Sequence, residues 1–292
     1  MILVRLMGGL GNQMFQYALG RRLSLIHNTD LLIDTSFLDK PSATYIKREY
    51  ELGIFDLPVS IAGADVLNKF ENIRKSSIKS RLQPILPSLL PYHIIREPSH
   101  AFNEEILQSP ANSLLIGYWQ TEEYFIDIED LIRKDFSFKK PLDGKNSGIA
   151  EKINSTNSVS VHVRRGDYIL NEKIQKHHGI CDTAYYNKAV ELISGIQKNT
   201  ELFLFSDEPE WVKQNMKFDL PVNYIDNAGE AGYIDMQLMS LCKHNIIANS
   251  SFSWWGAWLN NNEEKVVIAP ENWFADKTID TKDVIPAGWV KI

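Results

Sequence analysis

Cysteine and long apolar runs are scarce in this chain of 292 residues, and its net charge is negative. Cys181 and Cys242 are the only cysteines, too few for a disulfide framework and unlike clustered zinc ligands, so a reducing compartment fits best. The formal charge of −6 argues against broad nucleic-acid binding, which shows a basic face. No segment approaches the roughly 18 uninterrupted apolar residues of a membrane span. We expect a cytoplasmic protein without a transmembrane segment, and peripheral attachment at the inner membrane stays open.

Metal-binding patterns are also missing from the sequence. The chain contains no Asp-x-Asp triplet, and its histidines and cysteines do not form a clustered ligand set. Negative charge on a leaving group must then be met by side chains and backbone amides. The sequence therefore predicts no metal site and no bound cofactor.

The composition is that of an ordinary globular protein, 44% hydrophobic and 23% charged, with enough apolar residues for one or two cores. Residues 1–6 form an apolar run that leads into glycines and then into apolar residues at helical spacing, which indicates strand, turn and helix. A second short strand at 31–34 completes a βα unit and predicts a parallel sheet. Prolines interrupt residues 36–113, whose loose pattern predicts no topology, before a strand at 114–119.

The second half alternates strands and helices more regularly. Strands are predicted at 158–163, 202–205, 222–225, 245–248 and 265–269, and helices at 183–196, 209–216, 232–241 and 252–259. Such alternation is typical of a parallel sheet wrapped by helices, so the predicted fold class is α/β. A polar stretch at 141–157 predicts a boundary between domains 1–150 and 151–292. Ligands are expected at the carboxyl ends of the strands.

The first polar motif, residues 8–13, reads Gly-Gly-Leu-Gly-Asn-Gln and follows the first strand. Glycines such as Gly9 and Gly11 let the backbone approach a ligand, and the N–H groups of a helix start favour an anion. The motif is not a full dinucleotide fingerprint, because Met14 stands where a third Gly or Ala is expected. A structural turn and a binding turn are about equally favoured, and the two amides, Asn12 among them, tilt the balance towards sugar or phosphate oxygens.

The second motif is the run Val-His-Val-Arg-Arg-Gly-Asp-Tyr at residues 161–168. Arg164 and Arg165 leave the strand in opposite directions, so one faces the ligand side and the other meets flanking structure or an acid such as Asp167. A guanidinium suits a diphosphate and the charge that builds as it leaves. The alternative is a structural Arg–Asp pair beside a core histidine, His162. A cell-adhesion tripeptide at 165–167 is less favoured, since such triplets occur by chance.

Two further motifs end other strands. Residues 249–256 open a helix with hydroxyls that form a phosphate cradle with the helix-start N–H groups, or cap a helix whose tryptophans belong to the core. Residues 206–208 place Asp207 where a carboxylate binds a base or ribose, or caps the next helix. Together the motifs predict a nucleotide-diphosphate site in a cleft between two halves.

The chain resembles the bacterial α-1,2-fucosyltransferases, the family that includes the animal blood-group H-type enzymes. The resemblance rests on residues 8–17, 162–168, 205–208 and 249–258 and runs in order over nearly the whole chain. The His-x-Arg-Arg-x-Asp element is shared with α-1,6- and protein O-fucosyltransferases, while the tryptophan-rich element indicates the α-1,2 linkage. The family implies a GT-B fold, two Rossmann-like domains facing a cleft. It also implies metal-independent, inverting transfer of L-fucose from GDP-β-L-fucose to the 2-hydroxyl of a galactose-terminated oligosaccharide.

The resemblance also implies roles for individual residues. Arg164 or Arg165 meets the donor β-phosphate, with Arg164 favoured; Asn12 faces the diphosphate and His162 positions the motif. The implied donor-binding set is His162, Arg164, Asp207, Asn249, Ser250, Ser251, Phe252, Gly9 and Gly11. A general base is placed at Asp167 or Glu172 by position, without a choice between them. Acceptor contacts are expected in the first half and at 169–181.

Other functions stay open on the sequence alone. One is GDP-fucose transfer to another linkage, and a second is non-catalytic binding of a nucleotide sugar or glycan on the same fold. The arginine pair and Asn12 favour an enzyme, because pure binding would not need both sides of a cleft. A dinucleotide oxidoreductase is disfavoured by Met14.

Overall fold

Two compact units, Met1–Lys139 and Lys140–Ile292, make up the chain. The computed structural model describes residues 1–38, 47–75, 91–166, 179–227 and 232–292. Each unit is built on a parallel sheet with helices, so the predicted α/β class is confirmed. None of the helices in these described ranges combines the length and apolarity needed to cross a bilayer.

The first unit has a five-stranded parallel sheet in the order β3-β2-β1-β5-β4. Its strands and helices are β1 Ile2–Arg5, α1 Leu10–Ile26, β2 Leu31–Asp34, β3 Ser60–Ile61, α2 Ala64–Lys75, β4 His93–Arg96, β5 Ser113–Ile116 and α3 Glu129–Asp135. The strand, turn and helix predicted at the start of the chain are confirmed. The strand predicted at 114–119 ends earlier, because Trp119 has a φ of +58° and leaves the extended conformation.

The second unit has a six-stranded parallel sheet in the order β11-β10-β9-β6-β7-β8. Its elements are α4 Gly144–Ser155, β6 Asn157–Val163, α5 Thr183–Ile196, β7 Thr200–Ser206, α6 Pro209–Asn215, β8 Val222–Tyr224, α7 Tyr233–Leu241, β9 His244–Ile246, α8 Ser251–Trp258, β10 Val267–Ala269 and β11 Val290–Lys291. Counted along the chain, the strands run 3-2-1-4-5-6 across the sheet, the order of a dinucleotide-binding Rossmann fold.

The units divide at Lys139, earlier than the boundary expected at residue 150. The polar stretch that suggested a linker forms α4, whose Ile153 is fully buried. This helix packs on α7 and β6 of the second unit. Its few apolar residues are sufficient because one face alone has to be buried.

Helix α8 packs an aromatic face into the core of the second unit. Trp254 and Trp255 are fully buried, and the Trp254 ring lies parallel to that of Trp258 at 6.2 Å. At the end of the helix, Lys265 Nζ donates to the carbonyl oxygens of Ala257 at 3.1 Å and Asn260 at 2.6 Å. The Ala257 carbonyl also accepts backbone N–H groups at the helix end, so this ammonium adds a charged donor to the residues that terminate α8.

Candidate functional site

The carboxyl edge of the second sheet brings three of the predicted motifs together. Strand β6 lies between β9 and β7, and Val163 at its end pairs with Ser206 at the end of β7. The arginine motif and Asp207 therefore leave neighbouring strands side by side. The β6–β9 junction is the point where the strand order reverses, and open α/β sheets bind ligands at this point.

Asp207 holds the arginine loop through both carboxylate oxygens. Its Oδ1 accepts the Arg165 backbone N–H at 3.0 Å, and its Oδ2 accepts the Gly166 N–H at 3.0 Å. Arg164 Nη1 lies 3.1 Å from the same Oδ2. A Cβ on Gly166 would lie 2.9 Å from Oδ2, so a larger residue here would push against this carboxylate. The carboxylate that the family resemblance assigns to the nucleoside is thus engaged with the loop.

The two arginines have different surroundings, as their opposite directions predict. The Arg165 guanidinium lies 3.4 Å from the centre of the Trp211 ring, and its Nε donates to Glu208 Oε2 at 3.2 Å. Arg165 is therefore fixed by a cation–π contact and an ion pair. Its acidic partner is Glu208, where the sequence suggested Asp167. Arg164 keeps 24% of its side chain exposed at the sheet edge.

The predicted cap of α6 differs from the observed one. Glu208 is the N-cap residue but makes no side-chain cap hydrogen bond. Ser206 Oγ instead accepts the Glu208 N–H at 3.0 Å. The Glu208 side chain turns to Arg165 because a charged donor forms a stronger hydrogen bond than a neutral amide.

His162 is a buried neutral histidine behind the arginines. Burial, reinforced by the Arg164 charge, lowers its pKa to about 3, so the ring is uncharged at neutral pH. Its ring centre lies 5.6 Å from that of Phe252, which brings the start of α8 against the end of β6. Its Nδ1 is buried and has no hydrogen-bond partner in the described ranges. His162 thus has the burial of a core histidine, while the positioning role that the resemblance implies stays a prediction.

The start of α8 presents the serine motif. Ser250 is the N-cap residue, but its side chain makes no cap hydrogen bond, so the predicted capping by its hydroxyl is wrong. The first amide to bond back along the helix is that of Trp254, to Ser250 O at 3.0 Å. The amides of Ser251 and Phe252 lie in the first turn, where a helix supplies no acceptor. This helix start has the donors that an anion requires.

Asn249 ties loops together at the same edge. Its Nδ2 donates to the backbone oxygens of Trp273 at 3.2 Å and Gly179 at 3.4 Å, and its Oδ1 accepts from Cys181 Sγ at 3.6 Å. The side chain is 4% exposed. Its place beside the serines is as predicted, but its amide supports the loop rather than projecting towards a ligand.

In the first unit, the glycine motif also lies where the strand order reverses, between β1 and β5. Gly8 has a φ of +76°, which favours glycine. Gly9 is the N-cap residue of α1 and Gly11 lies buried in its first turn, so the ligand contact predicted for these glycines stays a prediction. Asn12 is half-buried, and its Oδ1 accepts from Gln120 Nε2 at 2.7 Å.

The Gln13 amide, expected to orient ligand oxygens, is fully buried and engaged with the backbone. Its Nε2 donates to Gly8 O at 3.0 Å and Glu49 O at 2.8 Å, while its Oε1 accepts the Glu51 N–H at 3.0 Å. Both N–H donors of the amide and its oxygen are therefore bonded to the backbone of the protein. The role predicted for Gln13 is wrong, and the residue instead shapes the glycine turn.

Sequence reasoning missed Glu97, which follows β4 at this edge. Its carboxylate accepts the N–H groups of Tyr118 at 2.7 Å and Trp119 at 2.8 Å. Burial raises the pKa of Glu97, against the two N–H groups that lower it. These N–H groups follow the end of β5, and a bond from backbone N–H groups to a distant carboxylate has no signal in the sequence pattern. Asp167 and Glu172, the predicted bases, lie outside the described residues, as do residues 169–178 of the segment expected to contact the acceptor.

The sequence matches the family model described as Glycosyl transferase family 11 over residues 1–292. The chain belongs to this glycosyltransferase family. An α-1,2-colitosyltransferase of Escherichia coli is 37% identical over 310 residues, covering 100% of this chain and 98% of that protein. Human galactoside α-(1,2)-fucosyltransferase 1 is 24% identical over 181 residues, covering 52% of this chain and 49% of the human protein.

The fold of this family 11 glycosyltransferase also matches a solved structure. The structure of an Arabidopsis thaliana FUT1 mutant in complex with GDP covers 93% of this chain and 71% of its own, at 13% identity and a TM-score of 0.51. The two parallel sheets and this likeness confirm the predicted GT-B architecture. The resemblance proposed from the motifs is confirmed as well.

The second-unit edge of this family 11 enzyme is suited to an anionic ligand. Arg164 supplies a cation, and α8 supplies first-turn amides on the other side of the switch point. Arg165, Asn249 and Asp207 hold the loops around them. Within the described ranges, no three His, Cys, Asp or Glu side chains are grouped as metal ligands. Metal-independent catalysis stays a prediction.

Proposed function

We propose that this glycosyltransferase transfers L-fucose from GDP-β-L-fucose to the 2-hydroxyl of a terminal galactose in an oligosaccharide. One observation carries the proposal: Arg164 and the open start of α8 lie on either side of the Rossmann switch point. A diphosphate needs a cation and several N–H donors, and this edge offers both. The site thus suits a nucleoside-diphosphate donor.

The reaction is a displacement at the anomeric carbon of fucose. The acceptor oxygen forms the new bond to this carbon while the bond to the GDP oxygen breaks, with inversion and a transition state of oxocarbenium character. Negative charge develops on the leaving β-phosphate, where Arg164 stabilises it. The hydroxyl proton passes to a carboxylate, for which Asp167 and Glu172 remain the candidates. His162 is a poor base, since its pKa is about 3.

The α-1,2 linkage and the 6-deoxy sugar are supported by the relatives. The names of both the Escherichia coli colitosyltransferase and the human fucosyltransferase specify an α-1,2 linkage. They differ in the sugar, and the bacterial relative is the more similar over the whole chain. Colitose transfer is therefore a second candidate function. Colitose lacks the 3-hydroxyl of fucose, so the two donors differ by one hydroxyl group.

The experiment is donor turnover by the purified protein in excess EDTA. GDP-fucose and GDP-colitose are compared, each with and without lactose, and product linkage is determined by NMR. Galactoside-stimulated GDP release from GDP-fucose with a 2-linked product supports the proposal. Preference for GDP-colitose, measured as kcat/KM, supports the second candidate. GDP-fucose binding without transfer to any galactoside would leave a binding role, and absence of donor binding would overturn both.

A further inference from the structure

We propose that Asp207 positions Arg164 and the arginine loop for the donor diphosphate, and that it does not contact the nucleoside. The inference rests on the proposed function, because it requires a nucleoside-diphosphate donor. Asp207 is thus a positioning residue that acts through Arg164. This role differs from the one that the family resemblance implies for the Asp207 carboxylate, which is contact with the base or ribose.

The carboxylate is committed to the protein. Two backbone N–H groups and one guanidinium N–H lie within 3.1 Å of its oxygens. An ionised carboxylate offers about four acceptor positions, so three are taken before any ligand arrives. The side chain is only 23% exposed. A nucleoside contact would have to displace one of these charge-assisted bonds.

Gly166 supports the same conclusion independently. A Cβ at this position would meet Asp207 Oδ2 at 2.9 Å and Cγ at 3.3 Å. The loop therefore depends on an unobstructed approach of its backbone to this carboxylate. Changing Gly166 should disturb the loop while leaving the chemistry of Asp207 intact, which makes it a second route to the same defect.

The direction in which GDP affinity changes distinguishes a carboxylate that positions Arg164 from one that merely lies near the diphosphate. A carboxylate near a diphosphate repels it, so replacing a bystander Asp207 by Asn would strengthen GDP binding. In the positioning role the same change weakens it. Asn keeps one acceptor oxygen, but its amide nitrogen cannot accept an N–H and its charge is lost, so the ion pair with Arg164 and at least one bond to the loop are lost.

The test is calorimetric titration of GMP, GDP and UDP into the full-length wild-type protein and three single variants. For Asp207→Asn and Gly166→Ala we expect GDP affinity to fall about 10- to 100-fold, the range for one charge-assisted hydrogen bond. Affinity for GMP and the preference for GDP over UDP should stay close to wild type. The control is Glu210→Gln, two residues into α6, where the side chain is 73% exposed and pairs with Lys213; it should change nothing.

A double-mutant cycle completes the test. In an Arg164→Ala background, Asp207→Asn should cost little further GDP affinity, because its effect passes through Arg164. The inference is overturned if Asp207→Asn weakens GMP as much as GDP, if it abolishes the preference over UDP, or if GDP binds equally well or better. Failure of the wild-type protein to bind GDP would instead contradict the proposed function. Gly166→Ala keeps the question answerable if Asp207→Asn does not fold.

Discussion

Replacing Arg164 by alanine removes the one cation that the proposed mechanism places on the leaving group. Only a quarter of this side chain is exposed, so its charge acts in partly desolvated surroundings. Removing a preorganised donor of this kind costs about 2.7–4 kcal/mol in the transition state. We therefore expect kcat to fall by about two to three orders of magnitude. Arg164→Lys keeps the charge without the planar fork, and its kcat should lie between those of wild type and Arg164→Ala.

The matched control is Arg165→Ala, one residue along the chain. Arg165 lies on Trp211 and pairs with Glu208, so its loss should lower the free energy of unfolding by about 1–3 kcal/mol. The assay is steady-state kinetics with GDP-fucose and lactose, together with urea unfolding of each variant. An Arg164→Ala protein that unfolds like wild type and keeps near-wild-type kcat would refute the reasoning.

Three further predictions concern metal dependence, pH and stability. Excess EDTA should leave kcat unchanged, measured with a metal-dependent glycosyltransferase as the positive control, because Arg164 and helix amides replace the cation. The folded-state pKa of His162 is about 3, below the ordinary 6.5, so the unfolded chain takes up the proton first as the pH falls. Between pH 7 and 4.5 wild type should lose about 2–3 kcal/mol more unfolding free energy than His162→Gln; equal losses in urea titrations would contradict this. Lys265→Met should lower the free energy of unfolding by about 1–3 kcal/mol, since the Ala257 and Asn260 carbonyls lose their bonds to the ammonium, and an unchanged urea midpoint would argue against that role.

The sequence predicts the middle of the second unit well because strands β6, β7, β9 and β10 are almost wholly buried and alternate with helices. The helix predicted at 183–196 has these bounds in the structure, and the strand predicted at 158–163 begins one residue earlier. Burial on both faces of a parallel sheet makes such runs conspicuous. The order of the strands, which creates the switch point, follows from tertiary pairing and could not be read from the sequence.

The first unit was predicted less completely for a physical reason. Strand β3 is two exposed residues long, and β4 mixes buried and exposed positions, so neither has a clear period. The role of Glu97 depends on the backbone N–H groups of Tyr118 and Trp119, which follow the end of β5. A contact of this kind has no signature in side-chain patterning. The base predicted at Asp167 or Glu172 stays a prediction.

Neighbouring residues of one motif have different roles: one is presented at the sheet edge and the other fixes the loop. This difference explains which predictions failed. Arg165 is held by Trp211 and Glu208, while Arg164 remains partly exposed at the sheet edge. Because side chains alternate in direction as a strand ends, a residue that presents a donor has a neighbour pointing into the fold. That neighbour can fix the loop at little cost in conformational entropy, since its own partners are preorganised. A motif residue of the right chemical type can therefore be the support rather than the ligand contact, and its contacts within the protein distinguish the two roles. Arg165 is fixed by both Trp211 and Glu208, so Arg164 remains the predicted contact to the diphosphate.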